Sequence, residues 1–198
     1  MKKLVFISVI SMICLGVQAY DFSVDGLFYR IIDQANKKVA VTQGDSKAIG
    51  SITIPETVNY CGLIYEVTQI DRYAFYSCSD LEKITFGSKV ETIGESAFGY
   101  CKNLSSVLIN ENLVTIGESA FEYCSSLTSF TVGSKVRFLS KWAFRECENL
   151  ENVKFNEGLT TIGDEAFNGC KILTNVSIPN SVLEMGDILF GVANRCLT

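Results

Sequence analysis

Apolar residues along this chain recur with a period of 23. The segment Ile93-Gly94-Glu95-Ser96-Ala97-Phe98-Gly99-Tyr100-Cys101-Lys102-Asn103-Leu104 returns almost unchanged as Ile116-Gly117-Glu118-Ser119-Ala120-Phe121-Glu122-Tyr123-Cys124-Ser125-Ser126-Leu127. Ala-Phe pairs stand at 74/75, 97/98, 120/121, 143/144 and 166/167. Three residues after each Phe comes a cysteine (Cys78, Cys101, Cys124, Cys147, Cys170), and three later a leucine (Leu81, Leu104, Leu127, Leu150, Leu173). After each leucine the pattern switches to period two. Val107 and Ile109 point one way along a short strand, so Ser106, Leu108 and Asn110 point the other. The run Glu-Ser-Ala-Phe-x-x-Cys predicts a single helical or 3-10 turn with its apolar residues inward. Gly94, Gly117 and Gly163 sit where the chain must turn after the second apolar pair, and Ser140 replaces them once. One such unit cannot bury its apolar face alone, so a fixed period in the twenties predicts a solenoid of stacked coils.

Residues 20–63 lack the repeat. Tyr20 to Val24 alternates, Asp25-Gly26 reads as a tight turn into Leu27–Ile32, and Lys38–Thr42 and Ser51–Ile54 read as two more strands. This predicts a β-rich cap over the first coil, which would otherwise expose a core and a row of unpaired strand groups. Ile52-Thr53-Ile54-Pro55 with Val58 already resembles the strand of a repeat, and Asn59 to Leu63 reads as a small insertion. The array proper is expected over 64–182. Over 183–198 it decays into a degenerate coil, where Leu189-Phe190 replaces Ala-Phe and Ala193 takes the cysteine position.

Residues 1–19 read as a targeting signal. Lys2 and Lys3 precede an apolar run from Leu4 to Val17, and Val17-Gln18-Ala19 offers the small residues of a cleavage site. The run is shorter than a membrane span of roughly 20 residues, so no integral membrane segment is expected in the mature chain. Lipidation at Cys14 is the alternative, against which the bulky Ile13 stands. Cleavage near Ala19 removes two lysines and no acid, leaving 15 basic against 22 acidic side chains, a charge of −7. That balance argues against nucleic acid, which requires a basic face, and against an anionic membrane surface. The absence of histidine removes the commonest general base and metal ligand together.

The run Leu-x-x-Ile-x-Ile/Phe followed by Val-x-x-Ile-Gly-x-x-Ala-Phe-x-x-Cys-x-x-Leu resembles the BspA-like leucine-rich repeats. Leu81, Ile84, Phe86, Val90, Ile93, Gly94, Ala97, Phe98 and Cys101 carry the match, with their copies at +23, over roughly 64–190. The resemblance implies a curved leucine-rich-repeat solenoid with a parallel sheet. It also implies export from a bacterium, or less often a parasitic protist, and adhesion to host or microbial surfaces. Ser140-Lys141-Trp142 departs from the family's glycine-containing turn, and the strand-end proline survives only at Pro55 and Pro179.

Candidate chemistry is sparse. Stacked coils bring the ladder cysteines to about 4.8 Å, inside the disulfide window, but their Cβ vectors run parallel. The expected state is a buried stack of thiols. A line of single cysteines does not make a tetrahedral metal site, and no cofactor is expected. Glu95, Glu118, Asp164 and Glu165 recur with the repeat in a turn that favours acids. A glycosidase needs two carboxylates in one pocket, which a solenoid surface does not offer, so no enzyme activity is expected. Tyr76, Tyr100, Tyr123 and Trp142 fall near the inter-coil turns, with Tyr100 and Tyr123 expected to stack. The candidate recognition surface is the outward side of the strands, namely Lys83, Thr85, Ser106, Leu108, Asn110, Ser129, Thr131, Asn152, Lys154 and Asn156, with Trp142 added because it breaks the local pattern. Small hydrogen-bonding columns of this kind suit a protein or glycan ligand on a host or microbial surface, though a plain solvated sheet face has the same composition. A different expectation is a structural component pairing end to end with itself or another repeat protein.

Overall fold

A computed structural model describes residues 20–187. Residues 1–19, read from the sequence as a leader with a cleavage site near Ala19, lie outside the described residues, as do 188–198. The cap forms six strands: β1 (Phe22–Val24), β2 (Leu27–Asp33), β3 (Lys38–Thr42), β4 (Gly50–Ile54), β5 (Thr57–Tyr60) and β6 (Leu63–Ile70). Asp25 and Gly26 take φ of 50° and 79°, the paired left-handed residues of a tight hairpin turn between β1 and β2. The stretch read as an insertion is a second hairpin, β5 to β6, turned by Cys61 and Gly62 at φ 51° and 77°. β6 also pairs in parallel with β3, so cap and array share a strand. β4 pairs in parallel with the first repeat strand, Ile52 beside Ile84 and Ile54 beside Phe86, as its repeat-like sequence predicts.

Each coil then contributes two strands, one after the repeat leucine and one two-residue piece. The first set is β7 (Leu81–Phe86), β9 (Ser106–Leu108), β11 (Ser129–Thr131), β13 (Asn152–Lys154) and β15 (Asn175–Ser177). The second is β8 (Thr92–Ile93), β10 (Thr115–Ile116), β12 (Phe138–Leu139), β14 (Thr161–Ile162) and β16 (Glu184–Met185). The second set runs as one continuous parallel stripe from β6 to β16. The first does not: it splits into β4-β7-β9 and β11-β13-β15.

The core is a set of columns. Phe75, Phe98, Phe121, Phe144 and Phe167 stack at centroid separations of 5.1, 5.3, 5.3 and 5.5 Å, all buried. The ladder cysteines line a second column, all of them buried. Each thiol from the second onward donates to a carbonyl of the preceding coil: Cys101 to Phe75 O (3.0 Å), Cys124 to Phe98 O (3.2 Å), Cys147 to Phe121 O (3.1 Å) and Cys170 to Phe144 O (3.2 Å). The cysteine is therefore a small buried residue that also satisfies backbone in the preceding turn of the stack.

Two local expectations change. The Glu-Ser-Ala-Phe-x-x-Cys segment is not a helical turn but a chain of β-turns, and no helix occurs among the described residues. Ala97, Gly99 and Cys101 donate back three residues, while Ser96, Phe98 and Tyr100 donate to Glu118, Ala120 and Glu122 of the following coil. A 3-10 helix would keep every N–H inside the segment. Here every second one leaves it, which Ser96 and Tyr100 permit by adopting φ of 50° and 62°. The repeat glycines are likewise not left-handed. A Cβ at Gly94, Gly117 or Gly163 would lie 2.6–2.7 Å from backbone nitrogen of the preceding coil. Close approach of one coil to the next, not turning, demands glycine there.

Candidate functional site

Among the described residues, no layer covers the side of the first strand set that points away from the core. Lys83, Ser129, Thr131, Asn152 and Lys154 are exposed on it, Thr85 and Ser106 are half-buried, and Leu108 is 49% exposed. Ser106, Leu108, Asn110, Ser129, Thr131, Lys154 and Asn156 line one depression of about 530 Å³. Seven of the eleven residues read from the sequence thus border a single concavity. Lys83 and Thr85 lie on β7, beside it. Asn152 begins β13 beyond it.

Asn110 and Asn156 have a further role. Asn110 Nδ2 donates to Gly87 O (2.6 Å) and Val90 O (3.0 Å), and its Oδ1 accepts from Asn112 N (2.7 Å). Asn156 repeats the arrangement with Gly133 O, Val136 O and Gly158 N. Their amides stitch a loop to the preceding coil and so form the wall of the depression.

Trp142 lies elsewhere, on the turn side. Lys141 Nζ sits 4.0 Å over its ring and Arg145 Cζ 5.7 Å from it, and Arg145 in turn bonds Glu122 Oε1 at 3.1 Å. Its aromatic face is thus already taken by cations. Tyr100 and Tyr123 stack at 4.5 Å and 19°, and Tyr76 meets Tyr100 edge-on at 5.5 Å. Glu95 pairs with Arg72 at 3.1 Å, while Arg145 Nε lies 3.8 Å from Glu165. Neither carboxylate, nor Glu118 or Asp164, lines the depression.

The depression lies at the boundary between the coil starting at Leu104 and the coil starting at Leu127, and that boundary is unlike the others. Ser105 donates to Glu82 O and Glu151 to Thr128 O, both at 2.9 Å, but the equivalent bond from Thr128 N–H to Ser105 O is absent among the described residues. Val114 donates to Glu91 O and Thr160 to Arg137 O, yet no bond joins Arg137 N–H to Val114 O. Gly94, Gly117, Gly163 and Gly186 donate to Ile70, Ile93, Leu139 and Ile162; at Ser140 the hydroxyl, not the N–H, reaches Ile116 O (2.6 Å). Ser140 stands at this boundary in place of the glycine. Its side chain occupies the place where the other coils need glycine to touch. Phe130, where neighbouring strands carry Ile84, Val107 or Val153, adds bulk beneath the strand, and its ring packs at 4.7 Å on Phe144. β9 and β11 are accordingly not paired, although β10 and β12 still meet at Ile116 and Leu139 across the same boundary. Sequence reasoning singled out Ser140-Lys141-Trp142 as a departure but did not connect it to the face on the other side of the coil.

The repeat geometry agrees with sequence comparison. Residues 68–195 match the BspA type leucine rich repeat region in six copies. The chain belongs to the BspA-type leucine-rich-repeat family. This BspA-type chain superposes on a leucine rich cell surface protein from Faecalibacterium prausnitzii with a TM-score of 0.67 at 24% identity, covering 83% of this chain and 50% of that one. For the T. pallidum leucine-rich-repeat protein the values are 0.64, 22%, 84% and 86%. For a leucine-rich-repeat protein from Bacteroides ovatus they are 0.59, 27%, 87% and 58%. The BspA-type chain therefore spans half of the first of these proteins and somewhat more than half of the third. No protein in the curated comparison matches it. Among the described residues no helix is long and apolar enough to cross a membrane.

Proposed function

We propose that this chain is an exported, surface-associated binding protein that takes a protein ligand on the uncovered face of its repeat strands. The observation that carries the reading is the convergence of Ser106, Leu108, Ser129, Thr131 and Lys154 around one concavity on a face the fold leaves open. Burial, ring stacking and backbone bonding are directed inward or along the stack, so these side chains are not needed to hold the coils together. The leader from Lys2 to Ala19 and the cell-surface name of the F. prausnitzii protein support export.

The test is capture of the chain starting at Tyr20 on immobilised extracellular-matrix extract and on washed bacterial cells, beside Thr131→Arg and Trp142→Ala. Thr131→Arg fills the exposed face and should cut capture at least tenfold, while Trp142→Ala should leave it intact. Equal capture by wild type and Thr131→Arg would remove the face from consideration. Loss of capture after periodate oxidation of the extract would reassign the ligand to a glycan.

A further inference from the structure

We infer that a cavity at the capped end of the stack binds a small primary amine with an apolar body, at a place separate from the strand face. The cap seals only one of the two strand stripes. The second set continues from β8 through β6 into β3, β2 and β1, whereas the first stops at β4, whose one strand partner among the described residues is β7. Beside β4 the end of the core therefore stays open, as a cavity of about 470 Å³ between that strand, the β1–β2 hairpin and β5. A space of this size is in the range of small-molecule sites. Leu27, Ile52 and Val58 give it apolar walls. Two polar groups in it lack a partner. Tyr29 is 1% exposed and lines the cavity, yet its hydroxyl has no hydrogen bond among the described residues. Buried polar groups are rarely left so, and a bound ligand would complete this one. The Asp25 carboxylate, on the exposed hairpin tip, has neither hydrogen bond nor ion pair there, and no Lys or Arg lines the cavity. Burial first, and then the Asp25 charge, push the Tyr29 phenol up to about 12, so the hydroxyl stays neutral and feels that carboxylate. Ile54 O accepts from Gly87 N, so by alternation the main-chain groups of Thr53 and Ser51 face away from β7, to the open edge. A carboxylate, a hydroxyl and edge carbonyls suit the three N–H donors of a primary ammonium, and the apolar walls call for carbon behind it.

Amide chemical-shift titration of the chain starting at Tyr20 tests this, with 2-phenylethylamine as probe beside 2-phenylethanol and the N-trimethylated amine. The amine should move the Ser51, Thr53 and Asn59 amides and saturate at millimolar concentration, with the alcohol and the trimethylated cation at least tenfold weaker. Asp25→Asn keeps a residue suited to φ 50° before Gly26; it should weaken the amine at least tenfold and leave the alcohol unchanged. Tyr29→Phe keeps the ring stacked on Phe22 and should weaken the amine at least threefold without lowering the melting temperature. A lower melting temperature would show that the hydroxyl is already bonded inside the protein and overturn the site. Equal binding of amine and alcohol, no saturation, or shifts confined to the repeat array would overturn the proposal. Tighter binding of N-acetyl-lysinamide than of the free amine would assign the cavity to a lysine of a partner protein and overturn a small-molecule site. The Thr131→Arg capture result depends on none of these outcomes.

Discussion

Raising the pH should unfold this protein from its interior. Burial pushes Cys101 and Cys170 up to about 12 and Cys124 and Cys147 well upward, through lost solvation first, with neighbouring thiols adding to three of the four. In the unfolded chain a thiol ionises near ~8.5. Between the two values the unfolded state has released protons that the folded state still holds, so stability falls as pH rises. The contribution is intact below ~8.5 and is lost progressively from there towards about 12. At pH 9.5, one unit above the unfolded value, each thiol costs RT ln 11, about 1.4 kcal/mol, and the four together about 6 kcal/mol. That is comparable to the whole stability of an ordinary domain, about 5–15 kcal/mol. Urea melts under reductant at pH 7.5 and 9.5, on wild type and Cys124→Ala, isolate one thiol, because tyrosine and lysine ionisation is common to both. Cys124→Ala should be less stable at pH 7.5, by about 1 kcal/mol, since it loses a buried sulfur and the bond to Phe98 O. Its stability should then fall by about 1.4 kcal/mol less than that of wild type between the two pH values. Equal falls would refute a buried, neutral thiol ladder.

Phe121→Ala should cost about 3–5 kcal/mol in denaturant melts. It should exceed Phe75→Ala by about 0.5–1.5 kcal/mol, because Phe121 has ring neighbours in both adjacent coils and Phe75 stacks on Phe98 alone; the reverse order would contradict the stacked column. Gly117→Ala places a Cβ 2.7 Å from Glu95 N and should cost about 1–3 kcal/mol, whereas Ser140→Gly should let the two coils meet and slow exchange of the Thr128 and Arg137 amides about tenfold. An unchanged rate in Ser140→Gly would mean another residue holds the gap open. Asn110→Ala and Asn156→Ala should each lower stability by about 1–3 kcal/mol, because Val90 O and Val136 O lose the amide donor and Asn112 N–H and Gly158 N–H lose the acceptor, and a melt indistinguishable from wild type would show that those bonds do not hold the loops.

Much of this architecture was legible because a period of 23 carries inward and outward positions together. Once Val107 and Ile109 are read as inward, Phe98, Cys101 and Leu104 follow, and so does the uncovered column through Ser106 and Ser129. What period alone does not carry is contact distance. Gly117 looks like a turn residue in the sequence because glycine so often is one; its role depends on the backbone of Glu95 lying against it, which only stacking reveals. The β5–β6 hairpin was missed because Cys61-Gly62 lacks the Asn or Asp that usually marks such a turn, although Gly62 supplies half of the signal. The turn segment was misread as helical for a related reason. Its apolar spacing suits a 3-10 turn, but the neighbouring coil offers acceptors that an isolated segment does not have.

The gap between β9 and β11 shows how one departure can be confined. Across the same boundary Ser119, Phe121 and Tyr123 still donate to Lys141, Ala143 and Arg145 at 2.8–3.1 Å. Phe121 still stacks on Phe144, and the Cys147 thiol still reaches Phe121 O. The turn side and the β10–β12 stripe therefore remain closed while β9 and β11 part. A coil held at its turns and at its second strand can open at the first without unravelling its neighbours, since nearest-neighbour terms add along a solenoid. The chain that leaves the strand edges unpaired at Ser105 and Thr128 leaves them on the same face as the exposed Ser129, Thr131 and Lys154.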